Sequence, residues 1–491
     1  RSGAIMRAAM DGLPARPLRR PGRGLSPALV AGLVALAAGC ARPAPRPSLL
    51  LVTIDTLRAD HLGCYGYPRP TSPRIDRLAA SGALFERTFT SLPRTTQSIA
   101  SIMTGRFPKG HQARGLYSAL SPANLTLAEI LKGEGYETAA IVSNLFLRAG
   151  QGFEQGFDLF DNPPARWDGD SAQQVSARAI SWLRGRHRGA PFFLWVHYLD
   201  PHWTYQPGPP FDRAFDPGFK GPFTLYEDLE AHRLTKGQVI FDNRLDPRQV
   251  EHVISLYDGE IAQVDAALGA LLDEATREAG GPLLTVLTSD HGESLGEQGY
   301  YFAHGEYLYN AGLRVPLIVS LAGTVPAGLR IPGLAQNIDV APTILALLGI
   351  GRLQAADGRP LLLGASAGRT VTAAPGRGLI FAESDFQLIH PENRRYYLPG
   401  PAGKWSAVSD GRSKLILIPK PGGEILEFYD LETDPGERRN LEGAGADAVT
   451  RGHLLRELRQ FVDYDPGWLP GPPTGPDDEE RRRLRALGYL N

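Results

Sequence analysis

The run Leu49-Leu50-Leu51-Val52-Thr53-Ile54, ended at once by Asp55, most narrows what this chain can fold into. An uncharged run without polar alternation must be covered on both faces, which suits an inner strand of a parallel sheet better than a half-solvated one. Residues 138–143, 192–197 and 283–288 repeat the pattern, each rich in β-branched or aromatic residues and followed by polar positions. Helical periodicity is expected between such runs, over residues 125–134, 172–185, 248–275 and 341–348. Strands alternating with helices give an α/β fold. In open α/β sheets ligands bind beyond the carboxyl ends of the strands. Asp55, Asp200-Pro201-His202 and Asp290-His291 all stand at such ends. From about residue 378 the pattern changes to short runs at 405–408, 414–418 and 427–429 joined by Gly- and Asp-containing turns, a small antiparallel sheet. A charged surface helix is expected at 477–487, and the Pro- and Gly-rich stretch 206–222 reads as an insertion or lid.

A chain of 491 residues can hold one large core with an appendage, and its net charge of −1 leaves no electrostatic footprint for nucleic acid. Its two cysteines, Cys40 and Cys64, are too few for a disulfide scaffold. Cys64 reads as a packed thiol. Cys40 has a different setting: Arg7, Arg16, Arg19, Arg20 and Arg23 precede an apolar run over 25–38, the plan of an export signal, and the run is short for a bilayer span. Ala37-Ala38-Gly39-Cys40 resembles a bacterial lipobox, with Leu36 one place earlier than the usual Leu. The expected organisation is a signal peptide over 1–40, a Pro-rich tether over 41–47, a catalytic body over 48–370 and a C-terminal subdomain over 371–491. Lipidation of Cys40 would make this an exported, membrane-anchored lipoprotein facing the periplasm or cell surface of a bacterium; an ordinary cleaved signal is the alternative.

Six motifs follow in order. They are Thr53-Ile54-Asp55-Thr56-Leu57-Arg58-Ala59-Asp60-His61-Leu62-Gly63; the segment from Thr95-Thr96-Gln97-Ser98-Ile99 to Thr104-Gly105-Arg106; His197-Tyr198-Leu199-Asp200-Pro201-His202; Tyr257-Asp258-Gly259-Glu260-Ile261; Thr288-Ser289-Asp290-His291-Gly292-Glu293; and Arg314-Val315-Pro316-Leu317-Ile318. Together they resemble the sulfatase family of the alkaline phosphatase superfamily. The resemblance implies a sandwich with a large mixed, mostly parallel sheet flanked by helices, plus a small C-terminal antiparallel sheet.

Sulfatases carry C/S-x-P-S-R before an apolar run and T-G-R. Counting back from Thr104-Gly105-Arg106 puts Thr95 at the position of the Cys or Ser that becomes formylglycine, Gln97 at that of the Pro and Ile99 at that of the Arg. Threonine cannot be oxidised to that aldehyde, so no formylglycine is expected. Thr96 is the adjoining rival nucleophile. By the resemblance, Asp55, Asp290 and His291 bind one divalent metal and Thr95 is its fourth ligand; metal contact lowers the pKa of a hydroxyl. Fewer carboxylates plus an imidazole favour Mn or Zn, with Ca possible. Thr95 is expected to cap an amphipathic helix with Ile99, Ile102 and Met103 on one face, its first-turn N–H groups facing an anion. His202 and His304 are the leaving-group candidates, and with Asp200 could hold a second, weaker ion. His111 and His197 read as structural, Arg58 and Asp60 as a pair beneath the site, Arg106 as holding the end of the Thr95 helix, and Tyr257, Asp258 and Glu260 as core braces.

The anion cradle is depleted. The sulfatase G-K-W-H setting is replaced by Ile141-Val142-Ser143-Asn144-Leu145, where Asn144 supplies one neutral donor toward substrate. Each lost donor can cost about 3 kcal/mol of transition-state stabilisation. Relatives with Thr at the nucleophile position are metal-dependent phosphodiesterases and phosphotransferases. The expected function is therefore cleavage or transfer of a phosphodiester or phosphonate ester through a covalent Thr95 intermediate, on a small, glycan or lipid-headgroup substrate. The alternatives are a sulfuric ester hydrolase without formylglycine, and a non-catalytic anion- or glycan-binding lipoprotein.

Overall fold

The computed structural model describes residues 46–163, 171–187, 189–220, 225–230, 234–351, 353–364, 371–385, 398, 401–443 and 445–463. Cys40, its export segment and the helix expected at 477–487 lie outside them. The opening apolar run forms β1 (Ser48–Ile54), buried at every position. It pairs in parallel with β5 (Phe192–Tyr198) on one side and β6 (Leu283–Ser289) on the other. Next to β5 come β3 (Glu137–Val142) and β4 (Leu159–Asp161), also parallel. Beyond β6 the strand Leu317–Leu321 runs antiparallel to both β6 and β2 (Ala83–Phe89), and Leu329–Gln336 closes the row parallel to β2. Arg314–Val315 also pairs with β2, completing a nine-stranded sheet that is mixed and mostly parallel, as expected.

Alternate side chains of β1 feed two cores: Leu49 and Leu51 pack with the Thr95 helix, while Leu50, Val52 and Ile54 pack with the long helix. That long helix, Pro247–Ala279, begins with Asp246 accepting from Gln249 N in a capping box and a proline in its first turn. The other expected helices occur as Leu127–Gly133, Ser171–Gly185 and Val340–Leu347, with ends moved by a few residues. The largest difference is at 248–275, where the helix continues to a left-handed Gly280.

The insertion from residue 206 onward, as far as it is described, is tied down along the long helix. Gln206 N donates to Glu260 Oε1 at 2.6 Å and Gly208 N to Gln263 Oε1 at 2.8 Å. Gly259 is needed there, because a Cβ would lie 2.6 Å from the Phe211 carbonyl oxygen. The C-terminal strands Ile380–Glu383, Ser406–Ser409, Ser413–Lys420 and Gly423–Asp430 form an antiparallel meander, and Leu454 and Leu458 of the helix Ala448–Asp463 pack against it. Its first strand ends beside the catalytic body, where Glu383 N donates to the Ser91 carbonyl.

Candidate active site

The strand order β6, β1, β5, β3 aligns the polar residues that follow each strand along one sheet edge. Asp290 and His291 follow β6, Asp55 follows β1, His197 lies near the end of β5, and Asn144 lies just past β3; all five are buried. Thr56 turns the chain sharply after Asp55 with φ of 55°, a strained value for a β-branched residue. The Tyr257 hydroxyl holds that turn, donating to the Thr56 carbonyl at 2.8 Å and accepting from Arg58 N at 3.1 Å. The Arg58–Asp60 pair forms as expected, with Glu297 as a further partner at 2.6 Å.

Asp55, His197 and Asp290 present ligand atoms that all lie within 4.8 Å of one another. Asp55 Oδ1, Asp290 Oδ2 and His197 Nε2 are each buried without a hydrogen-bond partner. An unsatisfied buried polar atom costs about 1–3 kcal/mol, so three converging on one point fit a bound cation, which would satisfy all of them. His291 Nε2 adds a fourth candidate ligand, 3.4 Å from Asp290 Oδ2 and 3.7 Å from Asp55 Oδ1. Electrostatics agree: burial and then the Asp55 charge hold Asp290 above the usual carboxylate range. Burial also pushes Asp55 up, but His202, His197 and His291 outweigh it and leave Asp55 below that range. Without a cation the pair cannot ionise together easily. These donors fit a divalent ion.

His197 is the main correction to the sequence reading, which placed it in the structural background. Its Nδ1 lies 2.8 Å from Thr53 Oγ1, and Nε2 lies 3.5 Å from Asp55 Oδ2. Thr53 also accepts from Trp195 Nε1 at 2.9 Å and reaches the Val196 carbonyl at 3.3 Å. All three contacts are satisfied if His197 Nδ1–H donates to Thr53 and the Thr53 hydroxyl donates to Val196. That tautomer turns the Nε2 lone pair toward the carboxylates, as a metal-ligating imidazole requires. The available signal was a histidine within the otherwise apolar strand Phe192–Tyr198, in register with Thr53 on β1.

The Thr95 helix spans Thr95–Thr104 and is buried on all sides rather than amphipathic. Arg94, with extended backbone, occupies the cap, so Thr95 is the first helical residue and not the cap itself. Thr95 Oγ1 lies 3.5 Å from Asp55 Oδ2 and 3.4 Å from His291 Nε2. Thr96 turns away and donates to the Leu116 carbonyl at 2.7 Å. Ile99, where the family has its Arg, is fully buried in the core. Gln97 donates to Asp385 Oδ1 at 3.1 Å, and Arg94 pairs with Asp385 and Glu306, each at 3.1 Å. Gly305 makes room for that guanidinium, since a Cβ would lie 2.4 Å from it. Arg106 donates to Asn124 Oδ1 at 2.7 Å.

His202 and His304 meet opposite the carboxylates, with ring centroids 5.2 Å apart and His304 4.3 Å from His291. Burial holds His202 down to about 4 and His304 well below its ordinary value, so both are neutral near pH 7. His202 Nδ1 donates to the Trp203 carbonyl at 2.8 Å. His304 Nδ1 lies 2.9 Å from Glu293 Oε1, and burial keeps Glu293 well above the ordinary carboxylate value. Lys236 is a cation that sequence reasoning did not single out. It is partly buried, with Nζ 5.5 Å from the Trp203 ring centroid, and its charge acts on His202, His304 and Glu293. Asn144, expected to face substrate, commits one N–H to Asp55 Oδ2 at 2.8 Å. Asp200 is buried, and its charge, after burial, raises Glu260 on the long helix. His111 is structural as expected, buried and held down to about 3, with Nε2 3.1 Å from Ser101 Oγ.

A family profile described as Sulfatase matches residues 47–350. The N-acetylglucosamine-6-O-sulfatase of Bacteroides thetaiotaomicron is 25% identical over 87% of this chain and 90% of its own. A multifunctional alkaline phosphatase superfamily protein, PehA, of Trinickia caryophylli is 27% identical over 84% of this chain and 94% of its own. The crystal structure of a phosphonate monoester hydrolase of Agrobacterium radiobacter has the same fold, with TM-score 0.67 at 21% identity over 85% of this chain and 95% of that one.

The cluster makes a prediction about metal content. Asp55→Asn, Asp290→Asn and His197→Ala should each lower bound divalent metal by roughly tenfold or more, as loss of a ligand does; Thr96→Ala should retain it. Elemental analysis of dialysed protein reads the result, with circular dichroism confirming the fold.

Proposed function

The chain belongs to the sulfatase family, within the alkaline phosphatase superfamily, and from that premise we propose that it hydrolyses a phosphonate monoester or phosphodiester through a covalent Thr95 intermediate. The observation that carries this reading is Thr95 Oγ1, placed against Asp55 and His291 where a sulfatase has formylglycine. The loss of cationic groups supports it further. Ile99, Ile141 and Val142 are all buried apolar residues where the family has an Arg and the lysine-bearing segment of its anion cradle. A phosphorus ester with one negative charge needs fewer cations than a doubly charged monoester.

A divalent ion held by Asp55, Asp290, His291 and His197 would supply positive charge next to the Thr95 hydroxyl and the ester oxygens. The chain's own groups divide the proton work. His202 Nδ1–H is committed to Trp203, so Nε2 carries a lone pair and can accept the proton of the attacking hydroxyl. Glu293 stays protonated and donates to His304 Nδ1, which leaves His304 Nε2–H as a donor toward the departing oxygen. One neutral histidine thus accepts while its neighbour donates, an arrangement set by their different partners. As the Thr95 oxygen bonds to phosphorus, the bond to the leaving oxygen breaks; water attacking the same phosphorus then releases Thr95. Lys236, beside Trp203, supplies a positive charge at this face. We extend the proposal to location: the Cys40 segment supports export and lipid anchoring.

A second reading, sulfate ester hydrolysis by the same Thr95 site, is favoured by the sulfatase names among the relatives. Steady-state rates on p-nitrophenyl phenylphosphonate and p-nitrophenyl sulfate separate the two. The phosphorus ester should have the higher kcat/KM, with Thr95→Ala lowering its turnover roughly a thousandfold or more and Thr95→Ser retaining part of it. Equal turnover in wild type and Thr95→Ala would sink the covalent mechanism.

Lys236 gives a pH signature. Burial lowers it to about 8, so its charge is present below that pH and lost above it. Activity should fall as pH rises through about 8, and Lys236→Arg, which stays charged, should move that limb upward.

A further inference from the structure

Apart from the site above, the structure contains a cavity of about 740 Å³ lined by the β6-to-β2 side of the catalytic body and by the C-terminal subdomain. Arg58, Arg87, Arg314 and Arg438 line it, together with Tyr301 and Tyr309. Three carboxylates also line it, but each is already paired. Asp60 and Glu297 lie on Arg58 at 2.8 and 2.6 Å, and Glu437 lies on Lys414 at 2.6 Å. The other three guanidiniums have no carboxylate within ion-pair distance among the described residues. Arg87 donates only to the carbonyls of Pro332 at 2.8 Å and Gly411 at 3.4 Å. Arg314 donates only to the Glu86 carbonyl at 3.1 Å, and its Nε is buried without a partner. Arg438 is exposed at the mouth.

A guanidinium satisfied only by carbonyls, as Arg87 is, keeps its fork free for a tetrahedral oxyanion; the Arg314 charge is shared in part with Asp60, beyond ion-pair distance. We infer that this cavity is a second, non-catalytic binding site for a phosphate or sulfate group, held by Arg314 on the wall and by Arg87 and Arg438 at the mouth. None of Asp55, Thr95, His202, Asp290 or His304 lines it, so the inference does not depend on the reaction proposed for Thr95. Two sources share this chemistry: the free inorganic ion, and a charged substituent on a saccharide whose ring would lie against Tyr301 and Tyr309.

Calorimetric titration of the full chain with inorganic sulfate tests the site. A class of sulfate binding should survive both Thr95→Ala and Asp290→Asn, yet weaken by roughly tenfold or more in Arg314→Gln and in the double variant Arg87→Gln/Arg438→Gln. The exposed double variant guards against misfolding caused by the partly buried Arg314. A parallel titration with a disulfated disaccharide identifies the source. Loss of disaccharide binding along with sulfate marks a substituent of a larger ligand, and loss for the ion alone marks the free ion. Sulfate binding that disappears in Asp290→Asn, or that is equal in wild type and the arginine variants, would overturn the inference.

Discussion

Two carboxylates, Asp55 and Asp290, are buried face to face at the ends of adjacent parallel strands, and much of this structure follows from that constraint. Burial and mutual repulsion hold one of them above the ordinary carboxylate range while neighbouring histidines hold the other below it. Such a pair is tolerable when a cation compensates it and the surrounding backbone cannot retreat. The backbone is fixed because β1 is paired on both sides and covered on both faces. The Tyr257 hydroxyl pins the turn immediately after Asp55, so the long helix, the longest among the described residues, sets the position of that carboxylate. His197 enters through the neighbouring strand, and its tautomer is governed by Thr53 on β1.

Thr95 is positioned by a different set of contacts that reaches into the C-terminal subdomain. Arg94 and Gln97 flank Thr95 and both bond to Asp385, which follows the first strand of that subdomain. Glu306, one residue past Gly305, takes the other side of Arg94. His304 immediately precedes Gly305, whose carbonyl accepts from Asp385 N at 2.8 Å, so its backbone is tied to the same acid that pairs with Arg94. The C-terminal subdomain thus helps to hold the start of the Thr95 helix, and a fragment ending at residue 350 would lose the acid that pairs with Arg94.

Much of this was legible in the sequence. Uncharged runs ending in Asp or His marked the strands and the sheet edge, since burial on two faces leaves no other pattern. Asp55, Asp290 and His291 come together because the strand ends that carry them are adjacent, and Thr95 reaches them from the start of its helix. His197 was misread because a lone histidine in an apolar strand has the same local sequence whether it is buried inertly or faces a ligand; only the register with Thr53 and Asp55 distinguishes them. Lys236 and Asp385 left no local signal, because both reach the site from segments distant in sequence. Thr95 proved to be the first residue of its helix because the extended Arg94, anchored by two acids, takes the cap.

The central claim is that the Thr95 hydroxyl itself carries the transferred group. Mass spectrometry of peptides from enzyme mixed with p-nitrophenyl phenylphosphonate and quenched in acid within the first turnovers tests it directly. The account predicts a phenylphosphonyl increment on the peptide containing Thr95, localised to that residue and absent from enzyme quenched without substrate. An unmodified Thr95 peptide under conditions of rapid turnover would contradict it.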